Sequence, residues 1–449
     1  MQSVNPANLK KISTYSPHND EEIINKINST HNDFLFWRNE SLDNRKKLLL
    51  KVSQELRENA LYHARIITAE MGKPIQEAKL EVEKCAWVCE YYAENSIDFL
   101  SQKNIKSNSS KSYVSYEPLG LILGVMPWNF PYWQVFRFIA PCLMAGNGCL
   151  LKHASNVSGC ALAIEKIIKD IYPLKNLLNV LLIPSSKVKD VVKNVHVKAV
   201  TLTGSDEAGS SVASLAGKEI KKSLLELGGS DPFIVLDDAN IDQAVKIGVK
   251  SRFLNSGQSC IAAKRFIVNK DIYDQFTDKA LEEIKKLKMG NPLIEGVDVG
   301  PLAKKNFADE LMNLVNNSIS QGAKLLFGGG VSDCYFEPTL LIDVTEDMDV
   351  FKHETFGPVL CVSKSDNDEH ALFLANNSCY GLSASVWTES HSKSSYFVSR
   401  LNAGAVFVND MSKSDPRLPF GGINKSGYGR ELSELGLKEF VNVKTVVYK

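Results

Sequence analysis

The sequence predicts an α/β fold, and three observations support this. Short apolar runs alternate with helical segments through the middle of the chain, which implies crossover connections and a mostly parallel sheet. A composition of 44% hydrophobic and 23% charged residues is typical of a globular protein. The 449 residues suffice for about three domain-sized units. The apolar runs are residues 119–126, 148–152, 180–183, 199–202 and 233–236.

Helical periodicity precedes these runs. Residues 41–69 have the pattern of one amphipathic helix, with Ser41 as its N-cap, and residues 74–100 have the pattern of a second. Residues 103–111 are rich in Asn, Ser and Lys, which predicts a surface turn. Residues 113–116 and residues 440–448 have strand patterns, and neither segment has an evident partner strand nearby in the sequence.

The charge balance excludes some classes of partner. Fifty-two Lys and Arg residues offset fifty-two Asp and Glu residues, so no global field attracts nucleic acid or an anionic membrane. Residues 1–17 are polar, unlike a secretory signal, and no run approaches the ~20 apolar residues that span a bilayer. We therefore expect a cytoplasmic protein.

The cysteines favour reduced thiols. Nine is an odd number, and their spacing shows no paired pattern. Cys85 and Cys89 are one helical turn apart, but no pair of histidines has ligand spacing, so no metal site is expected.

Two residues are candidates for covalent and acid–base chemistry. Cys260 follows a turn of small residues, where backbone N–H groups can lower the thiol pKa and bind an oxyanion; a buried core cysteine is the alternative. Glu226 ends an apolar run and precedes two glycines, so partial desolvation is expected to raise its pKa toward that of a general base. A capping or surface glutamate is the alternative there.

Two further segments suggest anion binding. Asn129 lies between Pro127 and Pro131, which fix the backbone so that its amide is a preorganised oxyanion donor, or simply part of a rigid turn. Residues 201–205 end a strand and open a helix around Gly204, as at a phosphate-binding junction, although the dinucleotide fingerprint Gly-x-Gly-x-x-Gly is absent.

Taken together and in order, these segments resemble the NAD(P)-dependent aldehyde dehydrogenase superfamily. The resemblance covers nearly the whole chain, and such an ordered set of blocks is highly specific. The amino-acid sequence around Lys152 and Arg137 is most similar to that of the short bacterial succinate-semialdehyde dehydrogenases. The matching segments are residues 127–131, Lys152 and residues 203–205, 226–229, 257–260, 354–358, 419–422 and 426–427.

The resemblance implies a Rossmann-type cofactor domain, an α/β catalytic domain and a small β oligomerisation flap. Residues 1–98 and 118–226 are assigned to the cofactor domain, residues 227–430 to the catalytic domain, and residues 99–117 and 431–449 to the flap. The two unpartnered strands would pair with each other and extend the sheet of a neighbouring subunit, which implies a homodimer or homotetramer.

The resemblance also implies a mechanism. Cys260 attacks the aldehyde carbon as a thiolate, while the Asn129 amide and the Cys260 backbone N–H hold the oxyanion. Hydride passes to the nicotinamide, and Glu226 activates the water that hydrolyses the thioester.

Cofactor preference depends on Ser155. Family members that prefer NAD typically have Glu there, whose charge repels a 2′-phosphate. With Lys152 nearby, the resemblance implies that NADP is preferred and NAD remains usable. It assigns Trp128, Gly204, Ser205 and Leu227 to the cofactor, and Glu354 and Phe356 to its nicotinamide end, with core packing as the alternative for Phe356.

The substrate prediction depends on Arg137, an arginine among apolar residues that is expected to meet a carboxylate. Succinate-semialdehyde dehydrogenases have arginine at the matching position, and a structural ion pair is the alternative. A second arginine common in those enzymes is Leu254 here, and Ser414 and Arg417 are predicted to complete the site. Ala262 replaces the second cysteine of some relatives, so no cysteine redox switch is expected.

Other functions remain open at this stage. Glutarate semialdehyde or uncharged aliphatic aldehydes are alternative substrates, and a catalytically silent protein with the same fold is a third hypothesis.

Overall fold

A computed structural model describes all residues from 1 to 449. The helices are α1 Asp20–Trp37, α2 Leu42–Glu58, α3 Ala60–Met71, α4 Ile75–Phe99, α5 Trp133–Met144, α6 Ser158–Ile171, α7 Val188–Lys193, α8 Asp206–Lys218, α9 Ile241–Phe253, α10 Tyr273–Lys285, α11 Lys305–Ser320, α12 Asp349–Lys352, α13 Asp368–Asn376, α14 His391–Val398 and α15 Ser433–Lys438.

The strands form five sheets. They are β1 Gln2–Val4, β2 Lys11–Thr14, β3 Lys103–Asn104, β4 Lys111–Pro118, β5 Leu121–Met126, β6 Gly148–His153, β7 Leu178–Val180, β8 Val197–Thr203, β9 Lys222–Glu226, β10 Asp231–Val235, β11 Ala263–Asn269, β12 Lys324–Phe327, β13 Val331–Ser332, β14 Tyr335–Phe336, β15 Thr339–Ile342, β16 Val359–Ser365, β17 Ser383–Trp387, β18 Ala405–Val408, β19 Gly427–Tyr428 and β20 Val441–Tyr448.

Two large sheets make up the predicted α/β architecture. The first has six strands in the order β19-β9-β8-β5-β6-β7, all parallel except β19, and the second has seven in the order β12-β15-β16-β11-β10-β17-β18. In the second sheet only β12 runs antiparallel to its neighbour. Helices connect the parallel strands, as the alternation of apolar runs predicted.

The two strands without an evident partner pair with each other. β4 and β20 are antiparallel over eight residues, from Val441 opposite Pro118 to Tyr448 opposite Lys111. β3 adds a third strand within the segment that was predicted as a turn, because Lys103 and Asn104 pair with β4. The resulting small sheet is separate from the two large ones.

The predicted helix over residues 41–69 is wrong in one respect, because it is two helices. Ser41 does cap the first, accepting a hydrogen bond from the Asn44 N–H at 3.2 Å. Asn59 then leaves helical geometry, with φ −110° and ψ 23°, and the chain resumes as α3. The Asn59 side chain donates to Glu55 Oε1 at 2.9 Å and does not cap α3, so the break lies at a residue of low helix propensity.

Other differences are small. The strand predicted at residues 180–183 lies earlier, at β7, and the hairpin β1–β2 was not predicted. No helix of the structure has the length and apolarity that crossing a membrane requires. Seven of the nine cysteines are buried, and Cys260 is half-buried.

Candidate active site

Cys260 lies where two cavities meet. One cavity, of about 190 Å³, extends between α4, α5 and the loop at residues 411–414. The other, of about 180 Å³, extends over the junction of β8 and α8. Cys260 and Gln134 line both cavities. A ligand in either cavity therefore reaches the same thiol.

A strained turn places the thiol there. Asn255, Ser256 and Gly257 all have positive φ, at 54°, 53° and 75°, immediately before the segment that contains Cys260. The Asn255 side chain fixes this turn by donating to the carbonyls of Asn129 at 2.8 Å and Gln258 at 3.0 Å. Consecutive left-handed residues are costly, so the surrounding hydrogen bonds must hold them.

The Asn129 amide is fixed beside the turn. Its Nδ2 donates to the Gln258 carbonyl at 3.0 Å, and its Oδ1 accepts from Gln134 Nε2 at 2.9 Å. One N–H of Nδ2 thus remains for a ligand, and the Cys260 N–H donates to no protein group. Asn129 and Cys260, which carry the two predicted oxyanion donors, line the same cavity.

Buried charges surround Cys260. Burial raises the pKa of its thiol, and the charges of Arg137 and Lys264 only partly offset that rise, which leaves the pKa at about 12. The lowered thiol pKa expected from the sequence is therefore wrong for this conformation, because burial outweighs the nearby positive charges. Lys264 Nζ donates to the Cys260 carbonyl at 2.7 Å and pairs with Glu354 at 3.0 Å. Lys264 therefore fixes the backbone of the candidate nucleophile as well as its electrostatic environment.

Glu226 ends β9 and is only 1% exposed. Neither carboxyl oxygen has a hydrogen-bond partner. Burial raises the pKa of Glu226 well above its usual range, Glu431 raises it further, and the charges of Arg137 and Arg430 oppose the rise. The expected desolvation of Glu226 is thus observed, but its side chain lines neither cavity in this conformation.

Arg137 meets a carboxylate of the protein itself. Its guanidinium pairs with Glu431, Nη2 donates to Thr203 Oγ1 at 3.2 Å, and its charge lies 4.9 Å from the centre of the Phe420 ring. Arg137 is 3% exposed and lines the cavity between α4 and α5. The ion pair that the sequence left as an alternative is present, and the side chain also faces the predicted substrate space.

Most of the predicted cofactor residues line the other cavity. Ser205 caps α8 there, and the Trp128 ring stacks on Phe307 at 4.9 Å and meets the edge of Phe356 at 5.7 Å. Lys152 and Ser155 do not line this cavity. The predicted residues that do are Trp128, Asn129, Gly204, Ser205, Leu227, Cys260, Glu354 and Phe356.

The two predicted substrate residues near the C-terminus differ in position. Ser414 is buried and lines the cavity between α4 and α5, where it accepts a hydrogen bond from Lys84 at 2.8 Å. Arg417 is exposed, pairs with Asp415 at 2.6 Å and does not line that cavity.

Sequence reasoning missed Lys84, Lys264 and Glu431. Lys84 lies on an amphipathic helix whose surface lysines look alike in sequence, and Glu431 is far from Arg137 along the chain. Lys264 gave a weak signal, since a lysine in a fully buried strand requires a partner.

Comparisons with known proteins agree with this geometry. The Aldehyde dehydrogenase family model matches residues 1–446. The chain belongs to the aldehyde dehydrogenase family. It is 44% identical over 447 residues to a protein of Synechocystis sp. that is named a probable succinate-semialdehyde dehydrogenase, with NADP(+) given in its name. The match covers 99% of this chain and 98% of that protein.

Two other similar proteins have related names. The Escherichia coli "Succinate semialdehyde dehydrogenase", designated NAD(P)+, is 42% identical over 448 residues, covering 99% of this chain and 97% of that protein. The crystal structure of succinic semialdehyde dehydrogenase from Streptococcus pyogenes with NADP+ has a TM-score of 0.97 at 35% identity, and 99% of each chain is covered. The predicted family, fold class and enzyme class are confirmed.

Proposed function

We propose that this enzyme oxidises succinate semialdehyde to succinate, with NADP as preferred cofactor and NAD as a usable one. The meeting of two cavities at Cys260, beside two oxyanion donors, is the observation that carries the proposal. The names of the relatives from Synechocystis and Escherichia coli support the substrate and the cofactor.

The residues around Cys260 suit acyl chemistry. The Cys260 thiolate adds to the aldehyde carbon, and the free N–H of Asn129 and the Cys260 N–H stabilise the oxyanion of the thiohemiacetal. A nicotinamide held by Glu354 and Phe356 would supply the acceptor for the hydride of this carbon. Glu226, once ionised and turned toward the resulting thioester, takes a proton from the attacking water.

The second cavity fits a dinucleotide. A Cβ built on Gly204 would meet no atom closer than 3.5 Å, so the backbone at the start of α8 is open to a phosphate group. Trp128 and Phe356 supply aromatic surfaces, and Glu354 accepts from the Gly229 N–H at 3.2 Å. Gly204, Ser205 and Leu227 would hold the phosphate end and Glu354 and Phe356 the nicotinamide end.

The preference for NADP is supported by lysines without acidic partners. Burial lowers the pKa of Lys152, and the charge of nearby Lys304 lowers it further, yet neither forms an ion pair. Ser155 is exposed and uncharged. A 2′-phosphate with about two negative charges would offset this excess positive charge.

The preference for a carboxylated aldehyde is supported by the first cavity. Arg137 and Ser414 both line it, and we keep both as proposed substrate residues. Arg417 is proposed only to act at the cavity mouth, because Asp415 holds its guanidinium.

The proposal is tested by initial rates with succinate semialdehyde, glutarate semialdehyde, butanal and betaine aldehyde, each with NADP and NAD. We expect succinate semialdehyde with NADP to give the highest kcat/KM, and Ser155→Glu to lower kcat/KM for NADP by about tenfold or more relative to NAD. If kcat/KM were higher for butanal or betaine aldehyde than for succinate semialdehyde, the proposed substrate would be wrong and only the family assignment would stand. If glutarate semialdehyde gave the highest kcat/KM, the proposed class of carboxylated aldehydes would stand and the proposed length of the substrate would be corrected.

We also propose that the enzyme acts in the cytoplasm as a homodimer or homotetramer. The small sheet of β3, β4 and β20 supports the oligomer, since three strands without their own core are marginal in water.

A further inference from the structure

The substrate cavity is lined by four cationic side chains, and three of them already have acidic partners. Lys73 pairs with Glu81, Arg137 with Glu431, and Lys413 with Asp410 at 2.5 Å. The fourth, Lys84, contacts no carboxylate; its ammonium donates to Ser414 Oγ at 2.8 Å and lies 4.4 Å from the centre of the Trp133 ring. Lys84 is thus the one positive charge of this cavity without a compensating anion.

The carboxylates nearest to Lys84 are held elsewhere. Glu81 accepts the N–H groups of Tyr132 and Trp133 at 2.8 and 2.9 Å in addition to its pairing with Lys73. Asp415 makes two hydrogen bonds to the Arg417 guanidinium. Neither carboxylate is free to turn toward Lys84, so its half-buried ammonium has one neutral hydrogen-bond acceptor and an aromatic face.

Such a position is costly for an ammonium group. Burial and, to a smaller extent, the positive charge of Arg137 lower the pKa of Lys84 to about 8, against opposing effects of Cys85, Asp415 and Glu81. A partly desolvated cation that lacks an anionic partner loses favourable hydration, and no ion pair compensates for that loss. An anionic group entering the cavity would restore that loss.

We propose that Lys84 is the residue that binds the distal carboxylate of the substrate, with Ser414 as its hydrogen-bonding neighbour. The proposal rests on the proposed function and names the specificity residue of that same site. Lys84 and Cys260 line one cavity, so an aldehyde whose carbonyl lies at the thiol extends its far end along the wall that carries Lys84. Arg137, already paired with Glu431, lines the same cavity and adds to the positive charge around Cys260.

The test compares Lys84→Met, which keeps the length of the side chain but removes its charge, with Lys84→Arg and with Lys79→Met. Lys79 is exposed on the same helix α4 and serves as the matched control. For Lys84→Met we expect kcat/KM for succinate semialdehyde relative to butanal to fall by about tenfold or more, mainly through KM. We expect Lys84→Arg to retain most of that ratio and Lys79→Met to retain all of it.

A second readout needs neither cofactor nor turnover. Succinate should slow alkylation of Cys260 by iodoacetamide in the wild-type protein, and Lys84→Met should abolish this protection while its unprotected alkylation rate and melting temperature stay near those of the Lys79→Met control. Equal protection of the two proteins, or protection of neither, would overturn the role of Lys84. So would an equal loss of kcat/KM for succinate semialdehyde and butanal.

Failure of the proposed function is recognised separately. It appears in the wild-type protein, as a preference for an uncharged or cationic aldehyde. The role of Lys84 is decided instead by comparing Lys84→Met with Lys79→Met, in succinate protection and in the ratio of kcat/KM for succinate semialdehyde to that for butanal.

Discussion

At the scale of single residues, Arg137 links the charges that govern the chemistry. It pairs with Glu431, and its charge acts on both the Cys260 thiol and the Glu226 carboxyl. Burial raises the pKa of both groups, and Arg137 opposes the rise at each. One guanidinium therefore favours the deprotonated form of both the thiol and the general base, which is the form in which each of them acts.

Glu431 should control the pH at which Glu226 acts as a base. Its charge raises the pKa of Glu226, so Glu431→Gln should lower that pKa and shift the rising limb of thioester hydrolysis to lower pH. The measurement is the steady-state rate that follows the first turnover, between about pH 5 and pH 9. Glu226→Gln should lose this limb and keep the first-turnover burst of reduced cofactor.

Glu434→Gln is the control for Glu431→Gln. Glu434 lies on the neighbouring helix α15 and pairs with Lys438 rather than with any residue of the site. An unchanged profile in Glu431→Gln, or a shift to higher pH, would contradict the assigned coupling. A shift of the same size in Glu434→Gln would show that the effect is not specific.

Residue type and local context were enough to name Cys260, Glu226 and Asn129 as candidates, the family resemblance assigned their roles, and those roles stay predictions. What they did not give was the partner of each charge. Arg137 was expected to meet a carboxylate, and the sequence offered no means of choosing between a substrate and Glu431, which lies in a distant segment that only the fold brings close. Lys84 was missed for the same reason, because its lack of a partner is a property of the assembled cavity.

At the scale of elements, the turn before Cys260 concentrates backbone strain. Gly257 has φ +75°, and a Cβ there would lie 2.3 Å from the Gly357 carbonyl oxygen. Gly257→Ala should therefore destabilise the protein by about 2 to 4 kcal/mol and slow alkylation of Cys260, because the turn must shift. Chemical denaturation and the alkylation rate measure the two effects.

Gly217→Ala is the matched control for that turn. Gly217 lies in α8, and a Cβ built there meets nothing within 4 Å. Alanine should stabilise this helix by up to about 1 kcal/mol and leave the thiol unchanged. Equal effects of the two substitutions would show that the turn is not under strain.

Periodicity predicted the central strands β5, β6, β8 and β10 closely, because buried parallel strands are continuous apolar runs. Periodicity failed where the pattern of apolar residues does not determine the secondary structure. The break at Asn59 interrupts an otherwise continuous helical pattern at a single residue of low helix propensity, and the hairpin β1–β2 is short and largely exposed.

At the scale of the whole molecule, the sheet of β3, β4 and β20 is the part least able to stand alone. β20 is an edge strand, and Val443, Val447 and Tyr448 on it are each more than half exposed. An edge with unpaired backbone groups and exposed apolar side chains favours association with another chain, and the proposed oligomer would cover this edge with a second copy.

Replacing Val443 and Val447 by Asp should therefore dissociate the oligomer. The wild-type protein should elute as a dimer or tetramer in size-exclusion chromatography with light scattering, and the double variant should shift toward the 49.7 kDa monomer. Its melting temperature should fall and lose its dependence on protein concentration, since assembly stabilises by mass action. Val195→Asp is the control, because Val195 is 68% exposed but lies in the loop between α7 and β8. A monomeric wild-type protein, or a double variant with wild-type mass, would remove this sheet from the assembly interface.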